Sequence, residues 1–162
     1  MKVIGITGSK GKTSVAYLTY EYIKYIGKTA LLFSSLDYEI AIPTNNRLKE
    51  AIELGKQSNI EYLIIEINEE YINNLDKSLF DVKLLTNVSI INGKEGLNDY
   101  IDNIFSFFTN SSLNIITYSP IVEKGKFLTL INKLENKILI GSLFELNVKN
   151  IDVNLFDNII QN

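Results

Sequence analysis

Ile6-Thr7-Gly8-Ser9-Lys10-Gly11-Lys12-Thr13-Ser14 is the stretch on which the fold turns. The apolar run Lys2 to Thr7 leads into it and reads as a short buried strand. An amphipathic stretch from Thr13 to about Ile26 follows it. Its apolar positions Val15, Leu18, Tyr22 and Ile26 recur every three or four residues, the helical period, and Gly27 stops the helix. A tight loop of small residues between a strand and a helix turns successive backbone N–H groups inward, where they cradle phosphate oxygens. The helix adds its positive N-terminal end. Lys12 would reach the terminal phosphates of a nucleoside triphosphate, and the Thr13 hydroxyl would coordinate magnesium. Glycine is needed where a side chain would block the approach or where φ is positive. Against the pattern G-x-x-x-x-G-K-[ST] the match is incomplete: the first glycine falls on Ile6, flanked by Gly5 and Gly8. The competing reading is an ordinary glycine turn; the order strand, loop, Gly-Lys-Thr, helix favours the phosphate loop.

Beyond the loop, strands and helices alternate. Thr29 to Phe33 is a second apolar strand, and Asp37 to Pro43 is irregular, with room for a short edge strand. Asn45 to Gln57 reads as a helix with Leu48, Ile52 and Leu54 on one face. Tyr62-Leu63-Ile64-Ile65 is a buried strand ending in Glu66, and Glu69 to Leu75 reads as a short helix. Val82 to Leu85 is a strand ending at Thr86-Asn87. Leu97 to Phe108 reads as a helix with Ile101, Ile104, Phe105 and Phe108 inward, and Leu113 to Tyr118 as a fifth strand. Lys126 to Ile131 and Lys137 to Ile140, separated by Asn132 to Asn136, read as an antiparallel hairpin, and Asn150 to Ile160 as a final helix. The expectation is one α/β domain over residues 1–162: a P-loop mononucleotide-binding three-layer fold, its central sheet mostly parallel, with a small antiparallel hairpin near the C-terminus. Ligands in such folds sit at the carboxyl ends of the strands. Thr7, Glu66 and Thr86-Asn87 all fall there.

Composition narrows the chemistry. Among the 162 residues there is no cysteine and no histidine. That excludes disulfides, thiolate metal sites, a cysteine nucleophile, a serine–histidine triad and histidine zinc sites. The net charge of −3, without a basic stripe, argues against a nucleic-acid partner. No apolar run approaches the roughly 20 residues that span a bilayer, and the N-terminus lacks a signal-peptide core, so no membrane association and a cytoplasmic location are expected.

The form Thr7-Gly8-Ser9-Lys10-Gly11-Lys12-Thr13-Ser14 resembles the ATP-binding loop of the Mur ligase family, T-G-[ST]-x-G-K-T-[ST]. That family joins amino acids to a carboxylate through an acyl-phosphate, in peptidoglycan biosynthesis among other places; folylpolyglutamate and cyanophycin synthetases share the module. The resemblance implies ATP and Mg2+ as cofactors, bound by Gly8, Ser9, Lys10, Gly11, Lys12, Thr13 and Ser14, with Lys12 also serving catalysis. Gly27-Lys28-Thr29-Ala30 and Ile42-Pro43-Thr44 are similar to the glycine before the family's second strand and to its threonine-proline segment near the γ-phosphate. Tyr62 to Ile67 resembles the strand ending in a magnesium-binding glutamate, which assigns Glu66 to the metal beside Thr13. Asp81 to Val88 resembles the strand ending in threonine-asparagine, which brings Asn87 to the nucleotide. Phe144 to Asn150 resembles the adenine-side segment, implying contacts from Asn147 and Asn150, whose amides offer both a donor and an acceptor to a base edge.

The same comparison shows departures. The aspartate–histidine loop that follows the threonine-asparagine strand is Ser89 to Gly96 here, shorter and without histidine. Ile104 stands where many members carry a carbamylated lysine for a second magnesium, and Asn68-Glu69-Glu70 replaces the histidine after the metal glutamate. One magnesium site survives on Thr13 and Glu66, and the second is dismantled unless Glu69, Glu70 or Glu95 replaces it. The family's N-terminal acceptor domain and C-terminal amine domain have no counterpart in these residues, which leaves three alternatives: an excised domain, a minimal protein with a protein partner that supplies the missing domains, or a protein that no longer ligates. Three functions stay open: the ATP-binding part of a carboxylate–amine ligase, a non-catalytic nucleotide-binding module derived from one, or another small P-loop ATPase. A kinase among the last should carry a lid of arginines, and Arg47 is the one arginine in the chain.

Overall fold

The structure, a computed structural model, describes residues 1–35, 42, 44–89, 96–117, 119–135 and 137–140. Its elements run β1 (Lys2–Thr7), α1 (Lys12–Tyr25), β2 (Ala30–Phe33), α2 (Asn45–Gln57), β3 (Tyr62–Glu66), β4 (Val82–Leu85), α3 (Leu97–Ser106), β5 (Leu113–Ile116), α4 (Lys124–Leu134) and β6 (Ile138–Ile140). Two short 3-10 helices, Glu69–Asn74 and Lys77–Leu79, join β3 to β4. The six strands form one sheet in the order β2-β3-β1-β4-β5-β6, every neighbouring pair parallel. Parallel neighbours need crossovers, and the helices supply them.

The first crossover moves outward from β1 to β2 and the later ones move back across the sheet, so α1 covers one face and α2, α3 and α4 cover the other. The α1 side buries Ile4, Ile6, Ala16, Ile23, Tyr62, Ile64 and Val82. The opposite side is the larger core, with Leu48, Leu63, Ile65, Ile104, Phe107, Phe108, Phe127 and Leu134 among its members. Strands buried on both faces explain why β1 and β3 read as continuous apolar runs rather than alternating ones.

Strand and helix positions follow the sequence reading in most places, but helix faces do not always. On α1 the buried residues are Ala16 and Ile23, with Val15, as expected, and Tyr20 packed beside them, whereas Leu18 is 70% exposed and Tyr22 and Tyr25 also face solvent. Two apolar stripes lie on this helix, and the phosphate-loop geometry fixes which one turns to the sheet. On α2, Leu48, Ala51 and Gly55 are buried, Ile52 packs against them and Leu54 is exposed, so a small-residue face lies on the sheet. The inward set of α3 is as expected: Ile101, Ile104, Phe105 and Phe108 are all buried.

The antiparallel hairpin is a correction. Residues Lys124–Leu134 are helical, and β6 pairs parallel with β5, Asn114 opposite Ile138. Phe127, Leu130 and Leu134, spaced three and four apart, are the buried positions, a helical period that outcompetes the alternation Phe127, Thr129, Ile131. Glu135, at φ 55°, ends the helix and turns the chain into the strand. Apart from Ile42, which is buried and in no strand, the edge strand expected within 37–43 lies outside the described residues, as does the final helix expected at 150–160. Among the described residues no helix is long and apolar enough to cross a membrane.

Candidate functional site

Where β1 ends, its neighbours on both sides end too. Ile6 pairs with Glu66 at the end of β3, and Thr7 pairs with Leu85 at the end of β4. The glycine loop leaves the sheet between them, at the point where the chain changes its direction of travel across the sheet, the place where parallel α/β sheets form a crevice.

The loop is built against β4. Thr86 Oγ1 donates to Lys10 O at 2.6 Å, Ser9 N donates to Asn87 O at 3.0 Å, and Lys10 N donates to Asn87 Oδ1 at 3.1 Å. Gly8 has φ 136°, and a Cβ there would meet Thr86 Oγ1 and the Asn87 carbonyl, so nothing larger fits. Gly11, at φ 79°, is the left-handed residue from which α1 starts. The Thr86-Asn87 pair therefore holds the loop from behind, and Asn87 acts through the loop backbone.

At the front, two carboxylates meet the Lys12-Thr13 pair. Thr13 Oγ1 donates to Glu66 Oε1 at 2.8 Å. The other Glu66 oxygen accepts from Ser34 Oγ at 3.0 Å and from Ser35 N at 3.0 Å, at the end of β2. Lys12 Nζ donates to Gly8 O at 2.7 Å and pairs with Glu69 Oε2 at 3.1 Å, both side chains largely buried. Glu69 is held in turn: its Oε1 accepts from Tyr100 OH at 3.2 Å and its backbone carbonyl accepts from Asn103 Nδ2 at 2.8 Å. Tyr100 OH also meets Ser9 Oγ at 2.7 Å, so α3 is tied to both the loop and Glu69. Burial raises the Tyr100 phenol above its ordinary range, with the Glu69 charge adding to the effect and the Ser9 hydrogen bond opposing it.

The expected site residues thus divide. Gly8, Ser9, Lys10, Gly11, Lys12, Thr13, Glu66 and Asn87 converge at one end of the sheet. Ser14 is exposed on the first turn of α1. Thr44 caps α2, accepting from Arg47 N at 3.4 Å. Ile104 is fully buried in the core, as its packed neighbours suggested. Asn147, Asn150, Pro43 and Glu95 lie outside the described residues. Of the carboxylates open as replacements at the second magnesium site, Glu69 pairs with Lys12. Tyr100 and the Ser34-Ser35 pair were not legible. A tyrosine beside an apolar helical face carries no signal of its own, and two serines after a strand look like any turn.

The donors at the front are a hydroxyl and a carboxylate, an oxygen set that suits a hard divalent cation such as magnesium. Among the described residues no three His, Cys, Asp or Glu side chains gather into a metal-binding group.

A parallel α/β sheet with a Gly-Lys-Thr loop at the end of its central strand is the architecture of a mononucleotide-binding domain. Within that class, residues 6–116 match the model of the Mur ligase middle domain, and the chain belongs to that family. It is 28% identical over 133 residues to the UDP-N-acetylmuramoyl-L-alanyl-D-glutamate–2,6-diaminopimelate ligase of Helicobacter pylori, covering 72% of this chain and 29% of that protein. To the UDP-N-acetylmuramoyl-tripeptide–D-alanyl-D-alanine ligase of Buchnera aphidicola it is 32% identical over 90 residues, 56% of this chain and 18% of that one. A solved structure of a UDP-N-acetylmuramoyl-L-alanyl-D-glutamate–2,6-diaminopimelate ligase superposes with a TM-score of 0.65 at 17% identity, over 86% of this chain and 31% of that one, a likeness of fold. The chain thus spans less than a third of the length of these relatives.

Proposed function

We propose that this domain binds ATP with magnesium and serves an ATP-dependent carboxylate–amine ligase of Mur type, the substrate domains coming from further chain or from a partner. The observation that carries the reading is the convergence of Lys12, Thr13 and Glu66 around the glycine loop, with Thr13 Oγ1 2.8 Å from the Glu66 carboxylate. Loop amides and Lys12 would take the phosphates, and Thr13 and Glu66 would hold the magnesium, which when bound supplies charge neutralisation at the phosphates. Lys12 would draw charge from the terminal phosphoryl group as it transfers to a carboxylate. Ser34 and Ser35 fix the Glu66 carboxylate by hydrogen bonds to its second oxygen, and Ser35 Oγ also reaches its first oxygen, beside Thr13, at 3.2 Å. Asn87 and Thr86 keep the loop amides in place.

Titration with Mg-ATP by calorimetry tests the binding step. Lys12→Ala should weaken it at least about tenfold, roughly 1.4 kcal/mol. Retention of wild-type affinity in that variant sinks the phosphate-loop reading. Ligation is tested separately, by adding the protein to a Mur-type ligase from which the central domain has been deleted and measuring amide formation.

The Lys12–Glu69 pair favours a second reading, a nucleotide-binding module without ligase activity. Glu69 stands beside the lysine that the terminal phosphate would engage, and Ile104 is packed where many members hold a second metal. ATP binding with no amide formation under complementation selects this reading over the first.

A further inference from the structure

Glu69 opens the short 3-10 helix that follows β3, and its carboxylate is fixed from several sides. Oε2 pairs with Lys12 Nζ at 3.1 Å, and Oε1 accepts from Tyr100 OH at 3.2 Å. The backbone carbonyl accepts from Asn103 Nδ2 at 2.8 Å, and Tyr100 OH meets Ser9 Oγ at 2.7 Å. The Lys12 and Glu69 side chains are 16% and 12% exposed, so water screens the pair poorly. Among the described residues Lys12 is the only cation within 4.0 Å of Glu69. The same amine donates to Gly8 O at 2.7 Å, which folds Lys12 back over the loop and against the carboxylate.

We propose that Glu69 is a charge filter on the phosphates: without metal the site prefers a nucleoside diphosphate to a triphosphate, and it takes the triphosphate as its magnesium complex. The inference rests on the nucleotide reading of the glycine loop. A phosphate oxygen at hydrogen-bond distance from Lys12 Nζ, where that amine now stands, lies within about 6 Å of Glu69 Oε2. Either nucleotide draws Lys12 onto phosphate and leaves Glu69 without its counter-charge. The triphosphate then sets a further phosphoryl group, with its charge, against that carboxylate. Like charges so close repel strongly where screening is poor. Tyr100 and Asn103 oppose the simplest relief, a turn of Glu69 away from the loop. Phosphate charge already offset by magnesium on Thr13 and Glu66 meets the carboxylate with less repulsion, which makes admission of the triphosphate depend on the metal.

The test measures the dissociation constants of ADP and ATP by calorimetry in EDTA. The wild-type protein should bind ADP at least about threefold more tightly than ATP. Glu69→Gln should raise ATP affinity by about threefold or more and change ADP affinity by less than about twofold, so that the preference is lost. Tyr100→Phe, which frees the carboxylate to turn, should move the ratio of the two affinities in the same direction by a smaller factor. Glu53→Gln, a charge-loss control on α2, should leave the ratio within about twofold. With magnesium in place of EDTA the wild-type gap should close, and a gap of unchanged size overturns the proposal. Tighter binding of ATP than of ADP by the wild type in EDTA overturns it whether or not the variants fold. Equal losses for both nucleotides in Glu69→Gln also overturn it, and would leave Glu69 as a brace for the loop. A wild-type protein that binds neither nucleotide sinks the reading of the glycine loop and this inference together. Binding of both, with a ratio that Glu69→Gln leaves unchanged, sinks this inference alone.

Discussion

Thr13 Oγ1 donates a 2.8 Å hydrogen bond to Glu66 Oε1, joining the first turn of α1 to the end of β3 across 53 residues of sequence. The contact puts a hydroxyl and a carboxylate, the two oxygen donors expected of a magnesium site, side by side at the mouth of the sheet. Glu66→Ala should therefore weaken nucleotide binding in the presence of magnesium by about tenfold and leave metal-free binding nearly unchanged. Calorimetry with and without EDTA measures both. Equal losses under the two conditions remove Glu66 from the metal site.

Glu69 competes for Lys12. Its carboxylate is 3.1 Å from the amine that a terminal phosphate would engage, and Tyr100 and Asn103 hold it there. A nucleotide must separate the pair. Glu69→Gln keeps the shape and an acceptor oxygen for Tyr100 but removes the charge facing Lys12, so ATP affinity in the absence of metal should rise by about threefold to tenfold, on the order of 1 kcal/mol for a partly buried pair. A fall in affinity would show instead that Glu69 assists binding.

Gly8→Ala should destabilise the fold by about 2 kcal/mol or more, because φ is positive at this residue and a Cβ collides with Thr86 Oγ1 and the Asn87 backbone. Urea denaturation measures it. Gly11→Ala has the positive φ without the collision and should cost less, about 1 kcal/mol. Equal costs at the two positions would show that the β4 contact does not shape the loop.

Lys83 makes stability depend on pH. Burial, followed by the Lys77 charge, lowers its amine from 10.5 to about 8 in the folded chain. Between those values the unfolded chain holds a proton that the folded chain has released, so stability rises as pH goes up from about 8 to 10.5, and the penalty is present in full below 8. Lys83→Met removes the penalty and should stabilise the protein by about 1–3 kcal/mol at pH 7, while the gap to wild type closes by about pH 10.5. Thr109 Oγ1, the partner left behind, still meets Ser111 Oγ at 2.8 Å. Urea melts of the two proteins at pH 7 and pH 10 check the sign, and a gap that does not narrow with pH contradicts it.

The sequence by itself determined the strand that precedes the loop, the loop, the succession of parallel strands through β5 and the end positions of Glu66 and Asn87. Those features are local: an apolar run with a polar residue at its end, a Gly-Lys-Thr turn, a period of three or four residues. Only the tertiary structure decided which stripe of α1 faces the sheet, because Leu18 and Tyr22 match the helical period as well as Ala16 and Ile23 do, and the take-off angle at Gly11 selects between them. It also decided that Lys124–Leu134 is a helix, since burial of Phe127, Leu130 and Leu134 against the sheet outweighs an alternating pattern of equal length. The pairing of Glu69 with Lys12 and the hold of Tyr100 on both Glu69 and Ser9 belong to the same class. These residues meet because α3 and the turn after β3 pack together at the carboxyl end of the sheet, a proximity that no spacing along the chain encodes.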